Sequence, residues 1–263
     1  MAHYYDPQGQ PAYTQIVASG KNKGKERDTT LRDARKFNLV PSVTTVLSIL
    51  DKPALTSWKV KNALHKFGWE IAQWLPAMVR KRFITQYKIT EPDMEDKAKR
   101  GSEIHAAIEK WLLGGGIDEG YEPYITIVEK VFAQLDIKLT DDIRPEYSFT
   151  AKEGYGGAID LPVFELEGII LDFKTKDMDA KKAEGQLAYD EHAAQLAAYR
   201  VGVGRPNARC FNLFLSRDNP EVYKLHEWTE EEVQHGENIF FGCLSLWKTL
   251  KKYDSTVGGA DAL

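Results

Sequence analysis

The segment GGAIDLPVFELEGIILDFKTK, residues 156–176, predicts the centre of the fold. Its Val, Ile and Phe content and its glycines favour two β-strands, at 158–164 and 169–174, joined by a tight turn at 165–168. The apolar run Ile-Ile-Leu that opens the second strand is typical of a buried strand. Yet the segment also carries Asp160, Asp172 and Lys174, and an unpaired buried charge costs far more free energy than an apolar residue. These three charges are therefore candidates for a functional site.

The spacing of these charges predicts that they share one face of the hairpin. Side chains alternate along a strand, so Asp172 and Lys174 lie on the same face. A two-residue loop would pair Asp160 with Thr175 and turn it away from Asp172, whereas a three-residue loop or a bulge would pair Asp160 with Lys174. Because Gly168 suits the left-handed position of a three-residue loop, we predict the second register.

Two chemical interpretations of this charged face stay open. Two carboxylates on one face can bind a hard cation such as Mg²⁺ or Mn²⁺, and a neighbouring lysine suits a phosphate or a water that is being deprotonated. Alternatively, Lys174 forms a salt bridge with Asp160 or Asp172 on a solvated face, which is the commoner meaning of an isolated D-x-K pattern. The buried character of the strand favours the metal site.

Composition limits the class of protein. The chain has 263 residues, 43% of them hydrophobic, which suffices for one large domain or a core with an appended subdomain. Its net charge of −4 restricts nucleic-acid binding to local basic patches. We expect no membrane-spanning helix and no signal peptide, and an intracellular, reducing compartment. Cys210 and Cys243 are too few for a four-thiolate iron–sulfur cluster.

Periodicity and capping residues predict elements on both sides of the hairpin. Ser42 caps a short helix, and a second helix follows whose apolar face includes Phe67, Ile71 and Trp74 and is expected to be packed. Further helices are expected at 90–113, 121–135, 183–201 and 230–252, and further strands at 145–151, 208–216 and 221–228. The basic segment 20–36 is either a solvated loop or an arm that contacts phosphates. This order predicts an α/β fold with a central mixed β-sheet flanked by helices.

Five short motifs resemble those of the PD-(D/E)XK nuclease superfamily, in the same order. They are Gly101-x-x-x-His105, the strand glutamate Glu146, Gly157-x-x-Asp160, Asp172-Phe173-Lys174-Thr175 and Gln195-x-x-x-Tyr199. The chain is similar to the RecB-like exonuclease branch, which includes phage-type exonucleases and the mitochondrial genome maintenance exonuclease, and the similarity extends back to about residue 41. It departs from the motif at Ile159, which stands where the family name places a proline.

The resemblance implies a fold, a location and an activity. The implied parts are an N-terminal arm and helical subdomain at 1–89, a restriction-endonuclease-like core at 90–252 and a flexible tail at 253–263. The implied activity is that of a metal-dependent DNA exonuclease in replication, recombination or end processing, in the cytoplasm of a bacterial or phage-infected cell. Its partners would be single-stranded or end-containing DNA and replication or recombination proteins. A structure-specific endonuclease and a non-catalytic nucleic-acid-binding relative are the alternatives.

The resemblance also implies roles for individual residues. Asp160, Asp172 and the main-chain oxygen of Phe173 would hold Mg²⁺ or Mn²⁺, with His105 as a further ligand and Glu146 as a weaker candidate; no iron–sulfur cluster is expected. Lys174 would orient or help deprotonate the attacking water. Gln195 and Tyr199 would contact the nucleic-acid backbone or brace the site. The basic residues expected to contact nucleic acid are Arg80, Lys81, Arg82, Arg100 and Lys176.

Overall fold

The computed structural model describes residues 2–50, 53–87, 94–139, 143–164 and 168–256. The helices are α1 (Leu31–Phe37), α2 (Val43–Leu47), α3 (Pro53–Trp74), α4 (Ala77–Tyr87), α5 (Met94–Leu112), α6 (Glu122–Leu135), α7 (Ala180–Glu184), α8 (Asp190–Gly202) and α9 (Glu230–Lys251). The strands are β1 (Tyr4–Tyr5), β2 (Thr14–Ile16), β3 (Glu26–Asp28), β4 (Val40–Pro41), β5 (Tyr147–Ala151), β6 (Tyr155–Ile159), β7 (Leu161–Val163), β8 (Ile169–Lys176), β9 (Arg209–Ser216) and β10 (Tyr223–Trp228).

A four-stranded mixed sheet contains the predicted hairpin. Its order is β10-β9-β8-β7, with β8 and β9 parallel and the outer pairs antiparallel. Strands β5 and β6 form a separate antiparallel pair. Leu171 and Phe173 on one face of the sheet pack into a buried cluster with Ile104 of α5 and Val128 of α6. On the other face α8 packs against β8 and β9, so the predicted α/β class with a mixed sheet flanked by helices is confirmed.

The predicted register of the hairpin is wrong by two residues, but the predicted face is retained. Strand β7 pairs with β8 through Leu161↔Leu171, and continuing this register by one residue places Asp160 opposite Asp172 instead of Lys174. Because the two registers differ by an even number of residues, Asp160 stays on the face of Asp172. The loop is longer than expected, and most of the predicted turn, residues 165–167, lies outside the described residues.

The first predicted strand is divided at Asp160. Strand β6 ends at Ile159 and β7 begins at Leu161, since β6 pairs with β5 whereas β7 pairs with β8. The chain therefore passes from one sheet to the other at Asp160. Asp160 therefore belongs to neither strand ladder, and its side chain has no cross-strand partner in a regular pair.

Three other elements differ from the predictions. The helix expected at 183–201 is two helices, because Gly185 takes an extended conformation and ends α7. The basic segment 20–36 contains β3 and all of α1 but its last residue, and α1 forms because Thr30 and Asp33 make a reciprocal capping box. The strand expected at 145–151 begins at Tyr147, since Glu146 has a positive φ of 53°.

The chain divides into two compact units, one of residues Met1–Ile49 with Ile104–Leu263 and one of residues Leu50–Glu103. This grouping joins the N-terminal arm to the core, whereas the sequence prediction groups residues 1–89; the predicted boundaries stay a prediction. In the smaller unit α3 packs on α4. Phe67 and Trp74 on α3 are 63% and 89% exposed, so the expectation of packing is wrong for this part of the apolar face. The side chains of Leu55 and Trp58, which belong to the same predicted face, lie outside the described residues. Periodicity shows that a helix has an apolar face, but not that a partner covers it.

Candidate active site

Asp160 is held between the edge of the sheet and helix α5. Its Oδ2 accepts a hydrogen bond of 2.7 Å from the main-chain N–H of Phe173. The same oxygen lies 3.7 Å from Nδ1 of His105, which α5 supplies. The predicted approach of His105 to Asp160 is therefore present in the structure, and the Asp160 side chain is only 16% exposed.

Asp172 lies in the middle of β8 with both carboxylate oxygens in use. Lys174 Nζ lies 2.8 Å from Oδ2 and donates to Oδ1 at 3.0 Å. Asn212 Nδ2 donates to Oδ2 at 2.8 Å, and Gln195 Nε2 donates to Oδ1 at 3.2 Å. Three side chains from β8, β9 and α8 therefore orient this carboxylate, whose side chain is 2% exposed.

Gln195 connects the acidic and basic parts of the cluster. Its Oε1 accepts from Lys174 Nζ at 3.1 Å, and its Nε2 donates to the hydroxyl of Tyr199 at 2.8 Å as well as to Asp172. Gln195 and Tyr199 are four residues apart on α8 and so share a face of the helix. A side chain at Gly157 would place its Cβ 2.8 Å from the Tyr199 ring, which explains why this strand has glycine there.

The electrostatics of the cluster follow from burial and from the neighbouring charges. The pKa of Asp160 is raised well above its ordinary value, first by burial and then by the charge of Asp172. Burial opposes the charge of Lys174, but the carboxylates of Asp172 and Asp160 outweigh it and raise the pKa of the lysine. Burial lowers the pKa of His105, so its imidazole is neutral near pH 7. Burial, followed by the charge of Asp172, raises the pKa of Tyr199 well above its usual range, so its hydroxyl stays protonated.

The donor chemistry of the cluster fits a hard divalent cation. Carboxylate and carbonyl oxygens suit Mg²⁺ and Mn²⁺, and the neutral imidazole of His105 has a lone pair to donate. Burial, and then the charge of Asp172, disfavours the ionised form of Asp160, and a bound cation would stabilise that form. In the described part of the chain, however, no three His, Cys, Asp or Glu side chains are gathered as a metal-ligand set. The oxygens of Asp172 face Lys174, Asn212 and Gln195 instead, so the predicted ligand set stays a prediction.

Glu146 lies beside the cluster, but not in the strand that the sequence predicts. Its main-chain N–H donates to the carbonyl oxygen of Asp160 at 3.1 Å, and its positive φ is uncommon for a residue with a side chain. Burial raises the pKa of its carboxyl, and the charges of Glu109 and Asp172 raise it further. Glu146 in turn helps to raise the pKa of Asp160, after burial and the charge of Asp172, so the two carboxyl groups interact.

The predicted nucleic-acid contacts in the smaller unit have different surroundings. Arg80 donates from Nε and Nη2 to the carbonyl oxygens of three residues at the end of α3, namely Ala72, Gln73 and Leu75, at 3.0, 2.9 and 3.2 Å. These bonds add a donor to carbonyls at and just beyond the end of α3, of which Ala72 O also accepts from the N–H of Leu75. Lys81 and Arg82 are exposed. Arg80 therefore has a structural role, whereas its two neighbours are available to a ligand.

Lys176 and Arg100, the other two predicted nucleic-acid contacts, are partly covered by neighbouring residues. Lys176 Nζ donates to the carbonyl of Leu187 at 2.8 Å and lies 5.1 and 4.9 Å from the ring centroids of Tyr189 and Phe214. Burial lowers the pKa of this lysine. Arg100 is half-buried on α5. Contacts of both residues with nucleic acid stay predictions.

Sequence reasoning missed Asn212, which donates to Asp172 and accepts from the indole N–H of Trp228 at 2.8 Å. The available signal was an amide in the apolar run RCFNLFLS of β9, because a buried amide needs hydrogen-bond partners. The pairing of β8 with β9, which brings Asn212 beside Asp172, is not readable from that run alone.

Comparisons with known proteins give partial structural likenesses. No protein-family model and no curated protein sequence matches the chain. The crystal structure of SSO0001 is similar at 14% identity over 48% of this chain and 57% of that chain, with a TM-score of 0.27. The crystal structure of a candidate exonuclease from Eubacterium rectale is similar at 12% identity over 58% of this chain and 68% of that chain, with a TM-score of 0.40. The chain thus spans little more than half the length of SSO0001, and at these scores the likenesses assign neither a family nor an activity.

No helix among the described residues combines the length and the apolar character needed to cross a bilayer.

Proposed function

We propose that this chain is a metal-dependent deoxyribonuclease of the PD-(D/E)XK type, an exonuclease similar to the RecB-like branch. The observation that carries the proposal is the meeting of Asp160, Asp172 and Lys174 on one face of the hairpin, with Gln195 joined to two of them. The salt-bridge interpretation explains Lys174 and Asp172, but not Asp160. A buried carboxyl with a strongly raised pKa and a neighbouring imidazole is an arrangement that active sites use.

Asp160, Asp172, the main-chain oxygen of Phe173 and His105 would hold Mg²⁺ or Mn²⁺. A bound ion would supply Lewis acidity and lower the pKa of a coordinated water. Lys174 stays protonated and would offset the charge that develops on the phosphoryl oxygens, while orienting the attacking water.

Gln195 and Tyr199 would keep this arrangement in place. Gln195 ties Lys174 and Asp172 together, so neither side chain can rotate without breaking a hydrogen bond. The buried hydroxyl of Tyr199 accepts from Nε2 of Gln195 and would hold the Gln195 amide in this orientation. Lys81 and Arg82 are the basic residues best exposed to add phosphate contacts.

The experiment is a cleavage assay on end-labelled linear DNA and covalently closed circular DNA, each single- and double-stranded, with Mg²⁺ or Mn²⁺. The wild type is compared with Lys174→Ala and with Lys130→Ala, a control at an exposed lysine of α6. We expect release of nucleotides from linear DNA, about 100-fold slower cleavage by Lys174→Ala and an unchanged control.

Each other outcome selects or removes an alternative. Cleavage of closed circles would favour the structure-specific endonuclease. DNA binding without cleavage under either metal would favour the non-catalytic relative. Equal rates for the wild type and Lys174→Ala would contradict the proposed site.

A further inference from the structure

Asn212 occupies an unusual position for an amide side chain. It lies in the middle of β9, between β8 and β10, and is fully buried. Its neighbours Phe211 and Leu213 point into the apolar cluster on one face of the sheet, and Asn212 points to the opposite face. A buried amide without hydrogen bonds costs about 1–3 kcal/mol, so an apolar residue would be the stable choice unless both ends of the amide are bonded.

Both the oxygen and the nitrogen of the Asn212 amide form hydrogen bonds, and the bond with Trp228 fixes which end of the amide faces Asp172. Trp228 Nε1 donates to Asn212 Oδ1 at 2.8 Å, and Asn212 Nδ2 donates to Asp172 Oδ2 at 2.8 Å. An indole N–H can only donate, so the oxygen of the amide must face Trp228 and the nitrogen must face Asp172. The direction of this hydrogen-bond chain therefore follows from the chemistry of its first member.

The sheet itself brings the three residues together. The parallel pairing of β8 and β9 sets Asp172 directly beside Asn212. Strand β10 pairs with β9 so that His226 is opposite Asn212, which puts Trp228 two residues further along the same face. The chain of donors thus runs across three adjacent strands and ends on the carboxylate.

From this geometry we propose that Asn212, oriented by Trp228, is a positioning residue for Asp172, fixing the carboxylate in the orientation that binds the divalent cation. This inference rests on the proposed function. Asn212 holds Oδ2 from β9 while Gln195 holds Oδ1 from α8, so the carboxylate is constrained from two directions. Residues that orient a metal ligand in this way are typically worth about 10–100-fold in metal affinity.

A purely structural role makes a different prediction. If Asn212 only satisfies a buried hydrogen-bond donor and acceptor, its replacement lowers the stability of the fold but leaves the metal affinity of the folded molecules unchanged. Metal affinity measured without DNA therefore separates the two roles, and it does so independently of catalysis.

The test measures Mn²⁺ binding to the full chain by titration calorimetry and by the electron paramagnetic resonance of free Mn²⁺, with no DNA present. The variants are Asn212→Ala and Trp228→Phe, and the matched control is Trp247→Phe, another buried tryptophan that packs against Tyr4 and Leu39. Thermal unfolding gives the folded fraction of each.

We expect Asn212→Ala to weaken Mn²⁺ binding by about tenfold or more and Trp228→Phe by a smaller factor. Trp247→Phe should bind as the wild type does. In the cleavage assay, the Mn²⁺ concentration for half-maximal rate should rise by the same factors, and saturating Mn²⁺ should restore much of the rate.

Wild-type affinity in folded Asn212→Ala and Trp228→Phe would overturn the inference, as would a wild-type protein that does not bind Mn²⁺. If Asn212→Ala does not fold, Trp228→Phe decides, because it removes one N–H and keeps an aromatic ring. A wild type that binds Mn²⁺ more tightly than Asn212→Ala and Trp228→Phe but cleaves no DNA would refute the proposed activity and leave the positioning role intact.

Discussion

Replacing Asp160 with asparagine should stabilise the metal-free protein and abolish cleavage. Burial and the charge of Asp172 raise the pKa of Asp160 well above its ordinary value, so at neutral pH the ionised carboxyl is less favourable in the folded chain than in the unfolded one. Asparagine removes the charge but keeps an oxygen that can accept the hydrogen bond from the N–H of Phe173.

The size of the effect follows from the position of the two carboxylates. Asp160 lies one residue beyond the β7–β8 pairing, on the face of Asp172. Facing side chains on neighbouring strands have Cβ atoms about 5 Å apart, and two like charges at about that separation repel by about 3 kcal/mol at an effective dielectric constant of about 20. Lys174 contacts Asp172 and attracts Asp160, which offsets part of this repulsion. We therefore expect a net gain of about 1 kcal/mol, or a rise of about 2–4 °C in the melting temperature for a chain of this size.

The gain should depend on pH and on metal. Because the folded-state pKa of Asp160 is raised, the penalty of its charge is absent below the unfolded-state pKa of about 3.9, grows as pH rises above it and is complete above the folded-state value. Bound Mg²⁺ at ten times its dissociation constant would stabilise the wild type by about 1.4 kcal/mol. The advantage of Asp160→Asn should therefore vanish in Mg²⁺.

Urea unfolding in EDTA and in Mg²⁺, at several pH values, measures these differences. The same substitution at Asp33 is the control, because Arg27 holds the pKa of that carboxyl well below its usual range through two hydrogen bonds of 2.6 and 2.8 Å. Asp33→Asn should lose about 1 kcal/mol with or without Mg²⁺. A loss of stability in metal-free Asp160→Asn would refute the argument that Asp160 carries a disfavoured charge.

Three further substitutions test the rest of the cluster. Lys174→Met leaves the carboxylate of Asp172 without its cation and should cost about 2 kcal/mol in urea unfolding, less than the roughly 3–5 kcal/mol of a fully buried pair because the lysine is a quarter exposed. His105→Ala should lower the ratio of Mn²⁺- to Mg²⁺-supported cleavage, by roughly tenfold, because an imidazole ligand favours Mn²⁺; an unchanged ratio would remove it from the ligand set. Tyr199→Phe removes the acceptor of the Gln195 N–H and should slow cleavage by about tenfold at unchanged DNA affinity, whereas a change confined to affinity would make it a binding residue.

The sequence allowed the shared face of the charges to be predicted, but not their register. The face depends only on the two-residue period of a strand, and every even shift preserves it. The register depends on the length of the loop after β7, and Gly168 alone, with its φ of 91°, does not specify that length. The division of the first strand at Asp160 could not be predicted from the sequence either, because it follows from the pairing of β6 with β5 and of β7 with β8.

Contacts between distant segments account for most of the remaining differences. The approach of His105 to Asp160 was expected from a family resemblance, since nothing in the helix sequence indicates which strand it meets. Asn212 lies forty positions after Asp172 and becomes its neighbour only through the parallel pairing of β8 and β9. Single-sequence patterns describe one element at a time, whereas both contacts depend on how elements pair.

The two carboxylates share a face but have different surroundings, and the difference explains how such a site can exist in a stable fold. Asp172 sits within a ladder and receives hydrogen bonds from side chains on β8, β9 and α8, so the fold itself stabilises its orientation. Asp160 lies where the chain leaves one sheet for another and has one main-chain donor, so its charge is poorly stabilised without an ion. An ion bound at this point would be attracted most strongly by the poorly stabilised charge of Asp160. The fixed carboxylate of Asp172 would set its position. The unequal division lets the sheet tolerate two buried acids while keeping one of them dependent on a cation.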